Sequence, residues 1–312
     1  MNRPQIASPD MNAMRDTQEI LANLDITDGG LGRLTTLSMR LAGMTGRTNW
    51  FPSKRAILIF AGDHGVMNGR EQQSTTAQRV ELTLAQKSAV NSLSRQMGTR
   101  LIVIDAGVNH QFKPRPRALV PLIGAEMRTP TFIQRKIAMG TNDITQENAM
   151  TAEQAEKAIQ LGMTIVQEEQ KRGIDLLFLG VIGVGSLYAA TAILTGLTGK
   201  SVHTNNDIPE VVKQAVERHE SPTEDILMKL GGFEIGAITG AILYAASQRI
   251  PIIIDGLACT AGELIAHQIE PNIHNYLIAG HKSDEAGHAL ALGYLGLDPL
   301  LEMSIRMGEG AG

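Results

Sequence analysis

The sequence predicts an α/β fold built on a doubly wound parallel sheet. Four short apolar runs carry this prediction, at residues 56–60, 101–104, 176–179 and 251–254. Each run is apolar at consecutive positions, as a strand covered by helices on both faces must be. Stretches with a helical pattern separate the runs, and such alternation is typical of α/β proteins. Each run also ends in a polar or glycine-rich turn, which predicts ligand chemistry at the carboxyl ends of the strands.

Two helices between the predicted strands have clear sequence signals. The first is predicted to begin at Thr151, where Thr-Ala-Glu-Gln resembles a capping box, and to end at residues 171–173. The second is predicted over roughly residues 233–247. Gly236 and Gly240 lie four residues apart in it, so we expect this helix to pack close to the sheet there. Residues 1–45 and the tail from residue 284 also have helical patterns outside the sheet.

Composition excludes several classes of protein. Of 312 residues, 43% are hydrophobic and 19% are charged, which matches a folded soluble chain and argues against disorder. The net charge of −4 comes from 28 basic and 32 acidic residues spread along the chain, so no nucleic-acid partner is predicted. Residues 176–199 are uncharged but rich in glycine. We interpret them as a buried strand, a loop and a helix, and predict no membrane span.

Two observations predict a cytoplasmic location. The polar residues 1–16 lack the apolar run of a secretory signal. Cys259 is the only cysteine, so an internal disulfide cannot form, which fits a reducing compartment. We expect Cys259 to be a small buried side chain beside the strand at 251–254.

Two turns after predicted strands offer polar groups to a ligand. Asp63 and His64 lie in a tight turn directly after the first strand. Asp63 could orient His64 or hold a ligand hydroxyl, or it could satisfy backbone amides of the turn. The loop of residues 180–186, with Gly183, Gly185 and Ser186, joins a strand to a helix, an arrangement that can aim backbone amides at an anion.

Two further groups lie near the end of the chain. His281, Asp284 or Glu285, and His288 fall at helical spacings but lack the converging ligand set of a metal site, so we interpret them as solvated capping and packing residues and predict no metal. Glu309 lies between Gly308 and Gly310. Flanking glycines let its backbone approach a substrate, as a general base requires, although an ordinary polar tail would look the same.

Eight motifs in order along the chain are similar to those of the nicotinate-nucleotide:dimethylbenzimidazole phosphoribosyltransferase family of cobamide biosynthesis. They are Gly30-Leu-Gly-Arg-Leu34, Ala61-Gly-Asp-His-Gly-Val66, Asp105-Ala-Gly-Val108, Ala149-Met-Thr-Ala-Glu-Gln154, Gly231-Gly-Phe-Glu234, Asp255-Gly256, His281-Lys-Ser-Asp-Glu-Ala-Gly-His288 and Arg306-Met-Gly-Glu-Gly310. The resemblance implies a Rossmann-like large domain, here residues 46–283. It also implies a small helical domain from both chain ends, here residues 1–45 and 284–312.

The resemblance also implies an activity. A member of this family moves the phosphoribosyl group of nicotinate mononucleotide to a lower-ligand base such as 5,6-dimethylbenzimidazole, releasing nicotinate. Glu309 matches the catalytic glutamate, which takes the proton from the attacking base nitrogen. The leaving pyridinium becomes neutral as it departs, so no metal or other cofactor is expected. The family also implies a homodimer, or a heterodimer with a paralogue.

The chain departs from the family pattern where substrates are expected to bind. Val181 stands where a glutamate is usual, and Leu187 and Tyr188 replace two threonines. Residues 199–203 replace a glycine-threonine-glycine loop, although Lys213 matches the phosphate-facing lysine. Leu84 replaces a glutamine that usually faces the base. The family pattern also extends beyond Gly312 by a further helix, so the C-terminal part of the small domain is expected to be shorter.

These departures leave two interpretations open. The protein could be an active transferase with altered recognition, for example of a phenol or purine. Alternatively, it could be a catalytically weak subunit that completes the site of an intact paralogue.

Overall fold

A computed structural model describes residues 4–24, 30–70, 72–113, 129–202, 208–219, 225–305 and 308–312. Within these ranges six parallel strands form one sheet: β1 (Arg55–Gly62), β2 (Arg100–Gly107), β3 (Thr131–Gln134), β4 (Leu176–Ile182), β5 (Ile252–Ile254) and β6 (Leu277–Ala279). The four predicted strands are confirmed. Strands β3 and β6 were not predicted from the sequence.

The strands are ordered β3-β2-β1-β4-β5-β6 across the sheet. This is the doubly wound order of Rossmann-like folds, so the predicted fold class is confirmed. The direction of chain progression reverses between β1 and β4, which are directly paired. Ligands of such sheets bind outside the carboxyl ends of the strands at this reversal. The loops after β1 and β4 therefore lie where a site is expected.

The helices in the described residues cover both faces of the sheet. They are α1 (Met11–Ala22), α2 (Arg33–Thr45), α3 (Thr76–Leu84), α4 (Ala89–Gln96), α5 (Ala152–Lys171), α6 (Ser186–Thr198), α7 (Ile208–Arg218), α8 (Ile226–Leu230), α9 (Phe233–Ser247), α10 (Leu257–Ile269) and α11 (His288–Leu295). Alternate residues of β1 point to opposite faces, so Ile57 and Ile59 join a core with α3 and α4, and Leu58 and Phe60 join the larger core with α5 and α9.

The two predicted helices are confirmed, but the reason given for the glycines of α9 was wrong. At α5, Thr151 Oγ1 accepts from the Gln154 amide at 3.2 Å and Gln154 Oε1 accepts from the Thr151 amide at 2.9 Å, forming the predicted capping box. A Cβ atom on Gly240 would lie 1.8 Å from the carbonyl oxygen of Ile159, and one on Gly162 would lie 1.8 Å from that of Ala237. The glycines of α9 therefore permit close contact with α5 rather than with the sheet.

The described residues at the two chain ends contact the β6 side of the fold and each other. Arg40 donates to the carbonyl of Leu277 at 2.7 Å, and Arg33 pairs with Asp298 at 2.8 Å. Helices α1 and α2 agree with the helical pattern of residues 1–45, while the described residues after α11 are not helical. The division into domains at residues 45 and 283 stays a prediction.

The structure also bears on two predictions made from composition. Cys259 is buried, and its thiol donates to the carbonyl of Leu179 in β4, as its expected role as a packing residue requires. No helix in the described residues combines the length and apolar character needed to cross a bilayer.

Candidate active site

A hydroxyl at the start of α3 links the loops that follow three strands. Thr75 caps α3 and forms a capping box with Gln78, which places Thr76 at the carboxyl edge of the sheet. Thr76 Oγ1 donates to Asp63 Oδ1 at 2.5 Å and accepts from the Val184 amide at 2.9 Å. Asp63 Oδ2 accepts from the Asn109 amide at 2.7 Å. The protein contacts of Asp63 are thus those of a carboxylate that satisfies backbone and hydroxyl donors, and its ligand role stays a prediction.

His64, Glu234 and Ser186 form a buried polar cluster behind these loops. His64 Nε2 lies 2.6 Å from Glu234 Oε1, and the Ser186 hydroxyl donates to the same oxygen at 2.9 Å. Burial opposes ionisation of Glu234, but the charge and hydrogen bond of His64, with the Ser186 hydroxyl, outweigh it and lower the pKa of this carboxyl. Two of the three side chains, His64 and Ser186, were predicted site residues. Glu234 was quoted only as part of a motif.

The glycine loop between β4 and α6 packs tightly on this cluster. Gly185 adopts a left-handed conformation with φ +96°, and a Cβ atom there would lie 2.7 Å from Cβ of His64. At Gly183 a Cβ atom would lie 2.0 Å from Ser186 Oγ. The amides of Val184 and Ser186 donate to Thr76 and to the carbonyl of Gly183. Two amides of the predicted anion loop therefore have protein acceptors, and anion binding by the loop stays a prediction.

Glu309 lies beside the carboxyl end of β4. Its amide donates to the carbonyl of Val181 at 3.2 Å, and Gly308 and Gly310 flank it as the sequence requires. A Cβ atom on Gly180 would lie 2.5 Å from the amide nitrogen of Gly310, so the bare backbone of β4 lets this segment approach. Burial raises the pKa of the Glu309 carboxyl, although the charge of Arg79 on α3 opposes the shift. A half-buried carboxyl with a raised pKa suits a general base.

Asp255, directly after β5, holds the segment that carries Glu309. Its Oδ2 accepts from the Gly310 amide at 2.8 Å and its Oδ1 from the Gly312 amide at 3.1 Å. Burial raises the pKa of Asp255 to about 7, while the two amides oppose the shift and Glu285 adds to it. No role was predicted for Asp255 from the sequence. Its place after a strand could have indicated one, because the carboxyl ends of parallel strands meet at one edge.

Two other predicted substrate residues are not joined to this group. Leu84 is buried in the apolar cluster with Val80 and Val90 under α3. Lys213 is exposed on α7, which packs against α6 through Val211, Val212 and Ala215. The structure gives neither side chain a polar contact with Glu309 or His64, and their roles stay predictions. His203 and Arg306, from quoted motifs, lie outside the described residues.

The histidines near the C-terminal segment are buried rather than solvated, which corrects the sequence interpretation. His288 Nδ1 accepts from the Ser283 amide at 3.0 Å, and His288 Nε2 lies 3.1 Å from Thr260 Oγ1. His281 and His288 pack edge to face with ring centroids 6.0 Å apart. They also do not share a helix, because α11 begins only at His288. In the described part of the chain, no three His, Cys, Asp or Glu side chains converge as a metal site would require.

Three of the positions that depart from the family pattern flank the glycine loop: Val181 near the end of β4, and Leu187 and Tyr188 at the start of α6. Val181 is a buried strand residue paired with Phe60. Tyr188, in the first turn of α6, has the guanidinium of Arg70 over its ring at 5.6 Å from the centroid. An aromatic ring and a cation therefore lie near the loop at a position where the family pattern has a threonine hydroxyl.

Comparison with known proteins agrees with this arrangement. A family profile described as "Phosphoribosyltransferase" matches residues 6–312. Nicotinate-nucleotide–dimethylbenzimidazole phosphoribosyltransferase of Chloroflexus aggregans is 37% identical over 306 residues, covering 91% of this chain and 82% of the relative. The protein of the same name from Desulforudis audaxviator is 35% identical over 326 residues, covering 99% and 88%.

A solved structure gives the same result. The crystal structure of nicotinate-nucleotide-dimethylbenzimidazole phosphoribosyltransferase from Thermus thermophilus superimposes with a TM-score of 0.87 at 29% identity, covering 97% of this chain and 91% of that one. The sequence matches and the structural superposition thus agree along nearly the whole chain. The chain belongs to the nicotinate-nucleotide–dimethylbenzimidazole phosphoribosyltransferase family.

Proposed function

We propose that the protein transfers the phosphoribosyl group of nicotinate mononucleotide to the ring nitrogen of a cobamide lower-ligand base, giving an α-ribotide and nicotinate. The base is 5,6-dimethylbenzimidazole or a related aromatic base. One observation carries the proposal for this chain: Glu309 is held at the carboxyl end of β4 through its amide, beside the reversal of the sheet. The names of the relatives support the choice of substrates.

The mechanism uses Glu309 as the general base. Its carboxylate accepts the N–H proton of the incoming base while a ring nitrogen forms a bond to C1′ of the ribose. The bond from C1′ to the nicotinate nitrogen breaks, and its electron pair returns to the ring, which loses its positive charge. Burial raises the pKa of Glu309 and so strengthens it as a base near neutral pH. No cofactor is required by this scheme.

The direct test is release of nicotinate by the purified chain from nicotinate mononucleotide and 5,6-dimethylbenzimidazole. We expect turnover by the wild type and a loss of about 100-fold or more in Glu309→Gln, because a positioned general base contributes roughly 10²–10⁴-fold. Glu302→Gln is the control, since Glu302 is an exposed acid nearby in the sequence whose carboxylate pairs with Lys282. Full activity of Glu309→Gln would disprove its role as the base.

The same assay separates the proposal from the subunit interpretation. If the wild-type chain is inactive alone and active only when mixed with a paralogue, it is a completing subunit and the proposed activity of the single chain is wrong. Replacing 5,6-dimethylbenzimidazole by a phenol or a purine then identifies the base class.

Two further parts of the proposal concern the location of the protein, which its single cysteine supports, and its assembly, which the family resemblance implies. We infer that the protein acts in the cytoplasm and that it assembles as a dimer, either with itself or with a paralogue. Sedimentation equilibrium at micromolar concentration tests the assembly, and a monomer at all concentrations would contradict it.

A further inference from the structure

The backbone of the Glu309 segment is held by a small set of hydrogen bonds. In the described residues, the Glu309 amide binds Val181, and the amides of Gly310 and Gly312 bind the two oxygens of Asp255. Asp255 therefore provides two of these three contacts. Since the oxygens are those of one side chain, they fix both the position and the orientation of the segment.

The segment does not favour this shape by itself. Glu309 has φ +70° and Gly310 has φ +73°, so two consecutive residues are left-handed. For a residue with a Cβ atom this conformation costs about 1 kcal/mol or more. Such strain persists only where surrounding contacts fix it. Asp255 supplies those contacts.

Asp255 in turn depends on the amides of the Glu309 segment, because little else near it can stabilise a buried carboxylate. Asp255 is 5% exposed, and the titratable groups near it include Glu285, another acid, the thiol of Cys259, and His281, whose Nδ1 lies 3.6 Å from Oδ1. Burial lowers the pKa of His281, although Glu285 opposes the shift, so this ring is neutral near pH 7 and provides no counter-charge. Backbone amides, above all those of Gly310 and Gly312, are left to stabilise the acid.

We propose that Asp255 is a positioning residue for the transfer reaction, whose two oxygens hold the strained segment so that Glu309 faces the ligand crevice beside β4. The inference rests on the proposed function, because it needs Glu309 as the base. Asp255 acts through this segment and not on the substrate.

The test compares Asp255→Asn with a matched control. The control is Asp175→Asn, since Asp175 also accepts from two backbone amides, those of Ser53 and Lys54, but lies at the opposite, amino-terminal edge of β4. We expect Asp255→Asn to lower kcat about 10- to 100-fold with KM changed less than threefold, because a misplacement of about 1 Å can cost 10²-fold. Asp175→Asn should leave kcat unchanged.

Two readouts distinguish positioning from general loss of structure. Amide hydrogen exchange of residues 308–312 should become at least tenfold faster in Asp255→Asn and stay unchanged in Asp175→Asn. The double variant Asp255→Asn with Glu309→Gln should be no less active than Glu309→Gln alone, because a misplaced base and a missing base are equivalent. Where Asp255→Asn does not fold, Asp255→Ser is measured in the same way.

The outcomes identify which inference fails. Wild-type kcat in a folded Asp255 variant, or a further tenfold loss in the double variant, would overturn the positioning role while leaving the proposed function intact. An inactive wild type would overturn the proposed function and this role with it.

Discussion

His64 Nε2 and Glu234 Oε1 lie 2.6 Å apart in a part of the protein that solvent does not reach. The two side chains come from residues 170 positions apart, one after β1 and one in the first turn of α9. Their contact therefore joins the loop at the reversal of the sheet to the helix that packs beneath it. It is a structural link that also supports the glycine loop through Ser186.

Replacement of Glu234 by Gln should destabilise the protein strongly. The lowered pKa of Glu234 means that it is ionised near neutral pH, so the substitution removes the charge that His64 faces. Breaking a buried pair at one partner costs about 3 kcal/mol or more. Urea unfolding at pH 7 measures the loss. A lowered carboxyl pKa stabilises the fold at pH values above the pKa in the unfolded chain, and this stabilisation is lost as pH falls through the pKa in the folded protein. The difference in free energy of unfolding between wild type and Glu234→Gln should therefore become smaller in acid.

A double-variant cycle tests whether His64 and Glu234 stabilise each other, and equality between the loss in the double variant and the sum of the two single losses would contradict it. We expect His64→Gln combined with Glu234→Gln to be more stable than the sum of the two single losses predicts, since the partners are in direct contact.

The pH dependence of turnover should report the raised pKa of Glu309. As a base it must be ionised, so kcat falls as pH drops through its pKa, and burial raises this pKa above the ordinary 4.5 against the effect of Arg79. Replacement of Arg79 by Gln should move the acid limb of kcat to still higher pH. A limb that does not move, or that persists unchanged in the residual activity of Glu309→Gln, would assign it to another group.

His288 should make the fold sensitive to acid. Burial, with a contribution from His281, lowers its pKa from 6.5 to about 4. Protonation at Nδ1 would displace the Ser283 amide that this atom accepts. The unfolded chain binds the proton first, so the stability contribution is complete above pH 6.5 and is lost as pH falls towards 4. Urea unfolding at pH values from about 4.5 to about 7.5 should show that the free energy of unfolding of the wild type falls in acid more than that of His288→Gln. The same pH dependence in both proteins would refute this prediction.

Asp255 should have the opposite effect on stability. Its folded pKa of about 7 lies above the ordinary value of 3.8. The folded state therefore binds the proton more tightly, and ionisation of Asp255 destabilises the fold as pH rises from about 4 to about 7. The stability of Asp255→Asn relative to wild type should rise over the same interval, even though its activity is lower. A constant difference across that interval would show that Asp255 is already ionised in acid.

The contact between α5 and α9 should tolerate no side chain at Gly240. Replacement by Ala places a methyl group against the Ile159 carbonyl and should cost about 3 kcal/mol, the upper part of the usual range for overpacking. The control is Gly293→Ala in α11, where a Cβ atom meets nothing within 4 Å and the gain in helix propensity should stabilise by up to about 1 kcal/mol. Thermal unfolding of both variants provides the comparison.

Local sequence patterns predicted the elements that have strong local signals. The four consecutive apolar runs and the capping box at Thr151 need only their neighbours to be recognised. Strand β6 is a short buried apolar run, Leu277–Ala279, whose signal was overlooked, whereas β3 has polar, exposed residues at both ends and forms no apolar run. Their pairing with β5 and β2 is a tertiary effect.

Two local signals marked residues of the candidate site: the glycines on both sides of Glu309, and the rule that a residue in the turn after a strand lies at the ligand edge. Asp63, His64, Gly183, Gly185 and Ser186 satisfy that rule and lie together in the structure. Glu234 is the one charged residue of an otherwise uncharged helix, a signal that could have marked it. Its partner is 170 residues away, however, and no sequence spacing indicates which imidazole it meets.

The same long-range limit explains the misread glycines of α9. A pair of glycines four residues apart predicts a close neighbour, but the neighbour can be a sheet or another helix. Here it is α5, because the ideal Cβ positions on Gly162 and Gly240 would overlap the opposite backbone.

The contact between α5 and α9 links residues far from the candidate site to the burial of Glu234. Glu234 lies in the first turn of α9, and Gly240 lies about two turns further along the same helix, where α9 contacts α5 at Gly162. The close packing at these two glycines therefore fixes how deeply Glu234 is buried. A survey restricted to side chains lining the crevice would pass over both positions, since neither has a side chain to remove. Loss of turnover on adding one methyl group there would be a displacement transmitted along a rigid helix axis.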